Sequence, residues 1–182
     1  MTALDSLLWL VDHGMARDLV CDVETRHGRI ACVGFGWSPL DALCIPLMHV
    51  NGTRYWLEVE GQLAAAIRRI MEHPRVRLIG QNFNYDRQYF YRDPLFGFRP
   101  RLHYDTMIGQ HLLFPGVPKD LAYQASHYCQ WHRFWKDEGK EITSADEGQW
   151  WNYNCRDCVA TWEVASVTRP LLVKAGFAKE GL

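Results

Sequence analysis

The stretch LVCDVET, residues 19–25, constrains the chain more than any other. Val20, Cys21, Val23 and the nearby Ile30 are what a buried β-strand uses, yet Asp22 and Glu24 sit among them. Side chains two apart on a strand point to the same face. The fold must therefore aim two carboxylates at one spot from an otherwise apolar element.

The rest of the chain is ordinary material for a packed domain. Its 182 residues, 48% hydrophobic and 23% charged, suit one core and one domain. The N-terminal MTALDSLLWLVDHGMARD is interrupted by Asp5 and Asp12 and has no basic lead, so it reads as an amphipathic helix and not a signal peptide. No run approaches the roughly 20 apolar residues of a membrane span, so no membrane partner is expected. Six scattered cysteines form no disulfide framework, and the expected compartment is a reducing cytoplasm.

Periodicity predicts an α/β order. After the first helix come strand LVCDVET, then GRIACVGFGW and DALCIPLM as antiparallel neighbours turning at Ser38-Pro39. VEGQLAAAIRRIMEH is helical by period, with Leu63, Ala66, Ile67 and Ile70 on one stripe. VRLIGQN follows as a short buried strand, NYDRQYFYR as a helix stopped near Pro94, and RLHYDTM as a brief strand. Asp105 or Thr106 starts a helix through MIGQHLLF, and KDLAYQASHYC makes another. WHRFWKDEGKEI is expected to be a surface loop. Ser144 and Glu147 form an S-x-x-E capping box opening a long helix that runs to Pro170. The result is one α/β domain with a mixed central sheet flanked by helices.

Charge is unevenly spread. The net charge is −1, but Arg68 to Arg101 holds eight basic against three acidic residues, interleaved with aromatics such as Tyr85, Tyr89 and Tyr91. That pattern suits a single-strand nucleic-acid groove. It equally suits a core helix with a solvated basic face.

Three carboxylate clusters stand far apart: Asp22-Val23-Glu24 on a strand, Asp86 in GQNFNYDRQYF just inside a helix, and Asp157 in YNCRD on the long helix. Tyr153 and Asp157 are i and i+4 and share a helix face. In this order and on these elements, from about Leu19 to about Val173, the chain resembles the DEDD superfamily of 3′→5′ exonucleases. DVET, GQNFNYDR and YNCRD match its three motifs, and GQNFNYDR is most similar to proofreading domains of DNA polymerase I-type and phage polymerases. Tyr153 stands four before the last Asp, where a sister branch has His five before it, so the resemblance is to the tyrosine branch.

The resemblance implies an RNase H-like fold and metal-dependent 3′→5′ exonuclease activity releasing nucleoside 5′-monophosphates from single-stranded or frayed DNA. It implies two divalent cations. Converging carboxylates repel each other unless cations neutralise them, and hard oxygen ligands favour Mg²⁺ or Mn²⁺. By the family pattern Asp22 bridges both ions, Glu24 and Asp157 hold the one that activates water, and Asp86 acts on the other. Tyr153 orients the water; a phenol, with an ordinary pKa of about 10, is a poor base for it. Asn82 and Thr25 contact the terminal nucleotide, although a turn residue and a strand-end hydroxyl would look the same. Further implications are one exonuclease domain over residues 1–182 without a polymerase domain, either free-standing or excised, a phage source and so an infected cell, and a polymerase acting in trans as partner.

Two other functions compete. One is RNA trimming of the ribonuclease D type, which shares the tyrosine branch. The other is a non-catalytic nucleic-acid-binding module using zinc at Cys129-x-x-His132 and Cys155-x-x-Cys158. The zinc module is disfavoured because all four acids are present and the thiols flank Asp157 on one helix. Trp131, Phe134, Trp135, Trp150 and Trp151 suit base stacking or core capping alike.

Overall fold

In the computed structural model, which describes residues 3–131, 135 and 147–179, the alternating stretch becomes strand β1, Asp18–Arg26. Leu19, Cys21 and Val23 enter the larger core, while Val20 faces another core on the opposite side of the sheet. By strict alternation Asp22 and Glu24 share the face of Val20. The register slips between Glu24 and Thr25, with Glu24 opposite Cys32 and Thr25 opposite Ile30. The extra residue, Ala31, lies on the neighbouring strand, so β1 keeps its alternation as far as Arg26.

Helix α1 spans Ala3–Asp12, and strands β2 (Arg29–Gly36) and β3 (Ala42–Pro46) follow β1. Then come α2 (Glu60–Met71), β4 (Arg77–Gly80), α3 (Asn84–Arg92), β5 (Tyr104–Asp105), α4 (Thr106–Leu113), α5 (Leu121–Tyr128) and α6 (Glu147–Lys174). The sheet order is β3-β2-β1-β4-β5. β1–β2 and β2–β3 are antiparallel, and β1–β4 and β4–β5 are parallel. This is the expected mixed sheet flanked by helices.

The two faces of the sheet do different work. Leu7 and Val11 of α1, Ala64, Ile67 and Ile70 of α2 and Phe90 of α3 fill the larger core. Cys158, Ala165 and Leu172 of α6 pack with Val20, Ile79 and Tyr104 on the other face. A third cluster joins α6 to α5 through Leu121, Ala125, Ala160 and Val164. Gly34, opposite Asp22 on β2, lets α6 come close. A Cβ there would overlap Asn154 Oδ1 and lie 2.7 Å from Cys158 Sγ.

Several boundaries differ from expectation. Helix α6 does not stop at Pro170 but runs through it to Lys174. Burial of Leu172 and Thr168, whose hydroxyl lies 2.8 Å from that of Tyr104, outweighs the one backbone hydrogen bond that proline removes. The helix closes beyond it at Gly176, with φ +77° and Phe177 N–H donating to the Leu172 carbonyl. Ser144 lies outside the described residues, as does WHRFWKDEGKEI apart from Trp131 and Trp135. The Glu147 carboxylate accepts from Val50 N–H at 2.7 Å and from the Tyr55 hydroxyl. Among the described residues no helix is long and apolar enough to cross a membrane.

Candidate active site

β1 and α6 bring three carboxylates together. Asp22, Glu24 and Asp157 each offer one oxygen, and these oxygens lie within 4.8 Å of one another. Asp22 and Glu24 are half-buried and Asp157 is buried. They meet because β1 presents residues two apart to the face that α6 covers.

Asp86 arrives from the other side. β4 pairs with β1 only over Asp18–Val20, so beyond its end α3 lies beside β1. There Asp86 Oδ1 accepts the Val23 N–H at 3.0 Å. Burial pushes the Asp86 carboxyl up to about 7; the Val23 N–H opposes this, and the charges of Glu24 and Asp105 add to it.

The start of α3 is held by another acid. Asp105 Oδ1 accepts from Asn82 N–H at 3.1 Å and Met107 N–H at 2.9 Å, and its Oδ2 from Phe83 N–H at 2.9 Å. One buried carboxylate thus caps α4 and secures the approach to α3. Asn82 sits at φ +53°, a left-handed conformation that asparagine tolerates. Asn82 is exposed. The Thr25 hydroxyl lies 3.1 Å from that of Tyr85, one residue before Asp86, which in turn donates to Tyr89 at 3.3 Å. A row of three hydroxyls therefore links β1 to α3.

Two buried donors are invisible to a reading by motif. Asn154 Nδ2 donates to Asp22 Oδ2 at 2.7 Å, and Trp135 Nε1 to Asp157 Oδ1 at 2.6 Å. Asn154 is wholly buried and its Oδ1 has no hydrogen-bond partner, so the amide is held by the space over Gly34 and by its bond to Asp22. Trp135 packs with Leu121, Ala125, Ala160 and Val164, and Tyr153 leans against the same cluster. One aromatic of the tryptophan-rich stretch therefore reaches the site, whereas Trp131 is exposed. The available signals were weak: an amide inside YNCRD, and a glycine facing the first acid.

Among the described residues the thiols form no further centre. Among the described residues the three carboxylates are the one grouping with metal-ligand geometry, and no cysteine belongs to it. Burial pushes Cys155 and Cys129 up to about 12 and Cys158 well above its ordinary value, as for core thiols. His132 lies outside the described residues.

The donor set suits a hard divalent cation. Three carboxylate oxygens from two elements, with a fourth acid beside them, are the chemistry of Mg²⁺-type sites and not of zinc–thiolate sites.

Residues 20–172 match the 3′-5′ exonuclease family. No curated protein sequence matches the chain significantly. Among solved structures it is similar to the catalytic core of RRP6 from Trypanosoma brucei, with TM-score 0.67 and 15% identity over 97% of this chain and 47% of that one. It is also similar to Brucella melitensis NrnC with bound Mg²⁺, with TM-score 0.69 and 14% identity over 93% of this chain and 80% of that one. The same NrnC has been solved bound to pGG. Escherichia coli RNase D, an exoribonuclease involved in structured RNA processing, matches with TM-score 0.62 and 16% identity over 95% of this chain. The chain spans about half the length of the RRP6 and RNase D chains, 47% and 44%. At these identities the likeness is one of fold, the RNase H-like α/β architecture.

Proposed function

The chain belongs to the 3′-5′ exonuclease family, and from that premise we propose that it removes nucleotides from the 3′ ends of single-stranded or frayed DNA. The observation that carries this reading is the set of three carboxylate oxygens from β1 and α6 within 4.8 Å of one another. Asp22, Glu24 and Asp157 would hold divalent cations there, two of Mg²⁺ or Mn²⁺, and Asp86 would serve the second of them. Bound cations supply Lewis acidity and neutralise charge on the phosphodiester. Asn154 and Trp135 orient the Asp22 and Asp157 carboxylates, each donating to one of their oxygens. Tyr153, one helical turn before Asp157, orients the attacking water with its hydroxyl. Thr25 and Asn82 border the terminal nucleotide, Thr25 through the hydroxyl row with Tyr85. Residues 1–182 act as one exonuclease domain.

The preference for DNA rests on the similarity of GQNFNYDR to the second motif of proofreading domains. RNA is the alternative substrate, supported by the likeness in fold to RNase D. The test pairs 5′-labelled DNA and RNA oligonucleotides of one sequence with the protein in Mg²⁺, Mn²⁺ or chelator, beside Asp22→Ala. The expected result is a ladder shortening from the 3′ end of DNA, abolished by chelator and by the substitution. Shortening of RNA alone moves the substrate to the alternative, and an intact pair removes the nuclease reading.

A further inference from the structure

The two elements that bring the carboxylates together meet again further along. Asp22, Glu24 and Arg26 alternate on β1 and share a face. On α6, Trp150 and Asp157 are seven residues apart, nearly two turns, and so share a face too. The Arg26 guanidinium lies over the Trp150 ring, 4.2 Å from its centroid. Strand and helix therefore run in opposite directions past each other, with the carboxylates at one point of the crevice and the Arg26–Trp150 pair at another. The offset along the helix is about 10 Å. From the middle of the Asp22–Glu24 pair to Arg26 the strand advances about the same.

The pair is braced from behind. Trp150 lies against Trp151 at 4.9 Å between centroids, and Trp151 meets the ring of Tyr55 edge-on at 6.1 Å. Tyr55 is itself bonded to Glu147 at the start of α6. Arg26 is half-buried and forms no ion pair among the described residues. A guanidinium stacked over an indole is pre-oriented to turn its N–H edge to a planar bidentate acceptor. A cation fixed in this way, with no ion pair among the described residues and beside an acidic centre that repels polyanions, suits one kind of ligand.

We propose that Arg26, held over the ring of Trp150, is a binding site for a backbone phosphate of the substrate strand, 5′ to the nucleotide being removed. The proposal rests on the exonuclease reading and narrows its substrate class to single strands longer than a dinucleotide. Arg26 recognises the phosphate and Trp150 positions Arg26.

The experiment compares kcat/KM for a single-stranded oligo-dT decamer with that for the dinucleoside monophosphate dTpdT, whose one phosphate is the scissile one. Arg26→Ala is expected to lower the decamer value about tenfold, through KM, and the dTpdT value much less. Arg26→Lys recovers only part of the loss, because an ammonium is a point charge without the planar fork. Trp150→Leu reproduces the KM effect in milder form. Equal losses on the two substrates, or none on the decamer, overturn the proposal. If the wild-type protein cleaves neither substrate, the exonuclease reading fails, and anisotropy of the labelled decamer in chelator decides this proposal independently. In that assay Arg26→Ala weakens binding about tenfold and lowers the slope of log K against log salt by about 0.7, the signature of one lost single-strand phosphate contact. An unchanged slope and affinity overturn it.

Discussion

A carboxylate that is to hold a cation is oriented by the donors bonded behind it. Asn154 and Trp135 are placed to do this for Asp22 and Asp157, each with an N–H 2.6–2.7 Å from an oxygen of its acid. Donors behind metal ligands are worth about 10–100-fold in metal affinity or activity. Trp135→Phe keeps a ring in the pocket and removes the donor. We expect it to weaken Mn²⁺ binding, followed by calorimetry without nucleic acid, by at least about tenfold. An unchanged isotherm would mean that Trp135 only fills space. The difference in legibility between ligands and donors is physical. Asp22 with Glu24, and Tyr153 with Asp157, lie on shared faces by strand and helix geometry alone, so local periodicity reveals them. The Trp135–Asp157 bond joins residues 22 apart, and Asn154–Asp22 joins residues 132 apart. Those pairings depend on how α6 docks on the sheet and on how Trp135 packs between α5 and α6, which no local period encodes.

At the scale of elements, the position of α6 is decided at its two ends and by the glycine beneath it. Gly34 sets the depth of approach, and the buried Leu172 carries the far end through Pro170. At the near end the Glu147 carboxylate ties α6 to the connection after β3. It is bonded to Tyr55, Val50 N–H and His49. The Tyr55 hydroxyl foremost, then the Val50 N–H, hold its carboxyl below the ordinary value of 4.5. A depressed carboxylate pKa contributes stability that is present above the unfolded value and lost as pH falls through the folded one. Glu147→Gln should therefore unfold at lower denaturant than wild type at pH 7, with the gap closing as pH drops below about 4. A gap that persists at pH 3 would show that charge is not what ties the helix. Most elements were legible because alternation and 3.6-residue periods survive into the fold. The overrun at Pro170 was not, because proline's local cost is outweighed by packing against Tyr104 and Ile79. Asp105 was legible as a helix start, but not as the clamp on Asn82 and Phe83, since a strand end and a loop had first to be brought side by side.

At the scale of the whole molecule, the candidate centre lies on a seam. One of its sides belongs to the sheet, whose other face is closed by α1, α2 and α3, and the other side belongs to α6. The three oxygens are within 4.8 Å only when strand and helix are docked, so a cation that binds them binds the folded chain and not the unfolded one. Without it, like charges gather at the seam and oppose docking. Folding and metal binding are thus linked, and linkage has a calculable size. A cation at ten times its Kd adds about 1.4 kcal/mol to the folded state. For a chain of this length that raises Tm by about 3–5 °C. Differential scanning calorimetry with Mg²⁺ or Mn²⁺ against chelator should record that rise for wild type, and none for Asp22→Asn at the same concentration. Equal rises in both proteins would place the bound cation elsewhere, because a site built across the seam cannot lose Asp22 and keep its affinity. A rise in wild type alone would show that the centre which gathers the charges also fastens α6 to the sheet when it is filled.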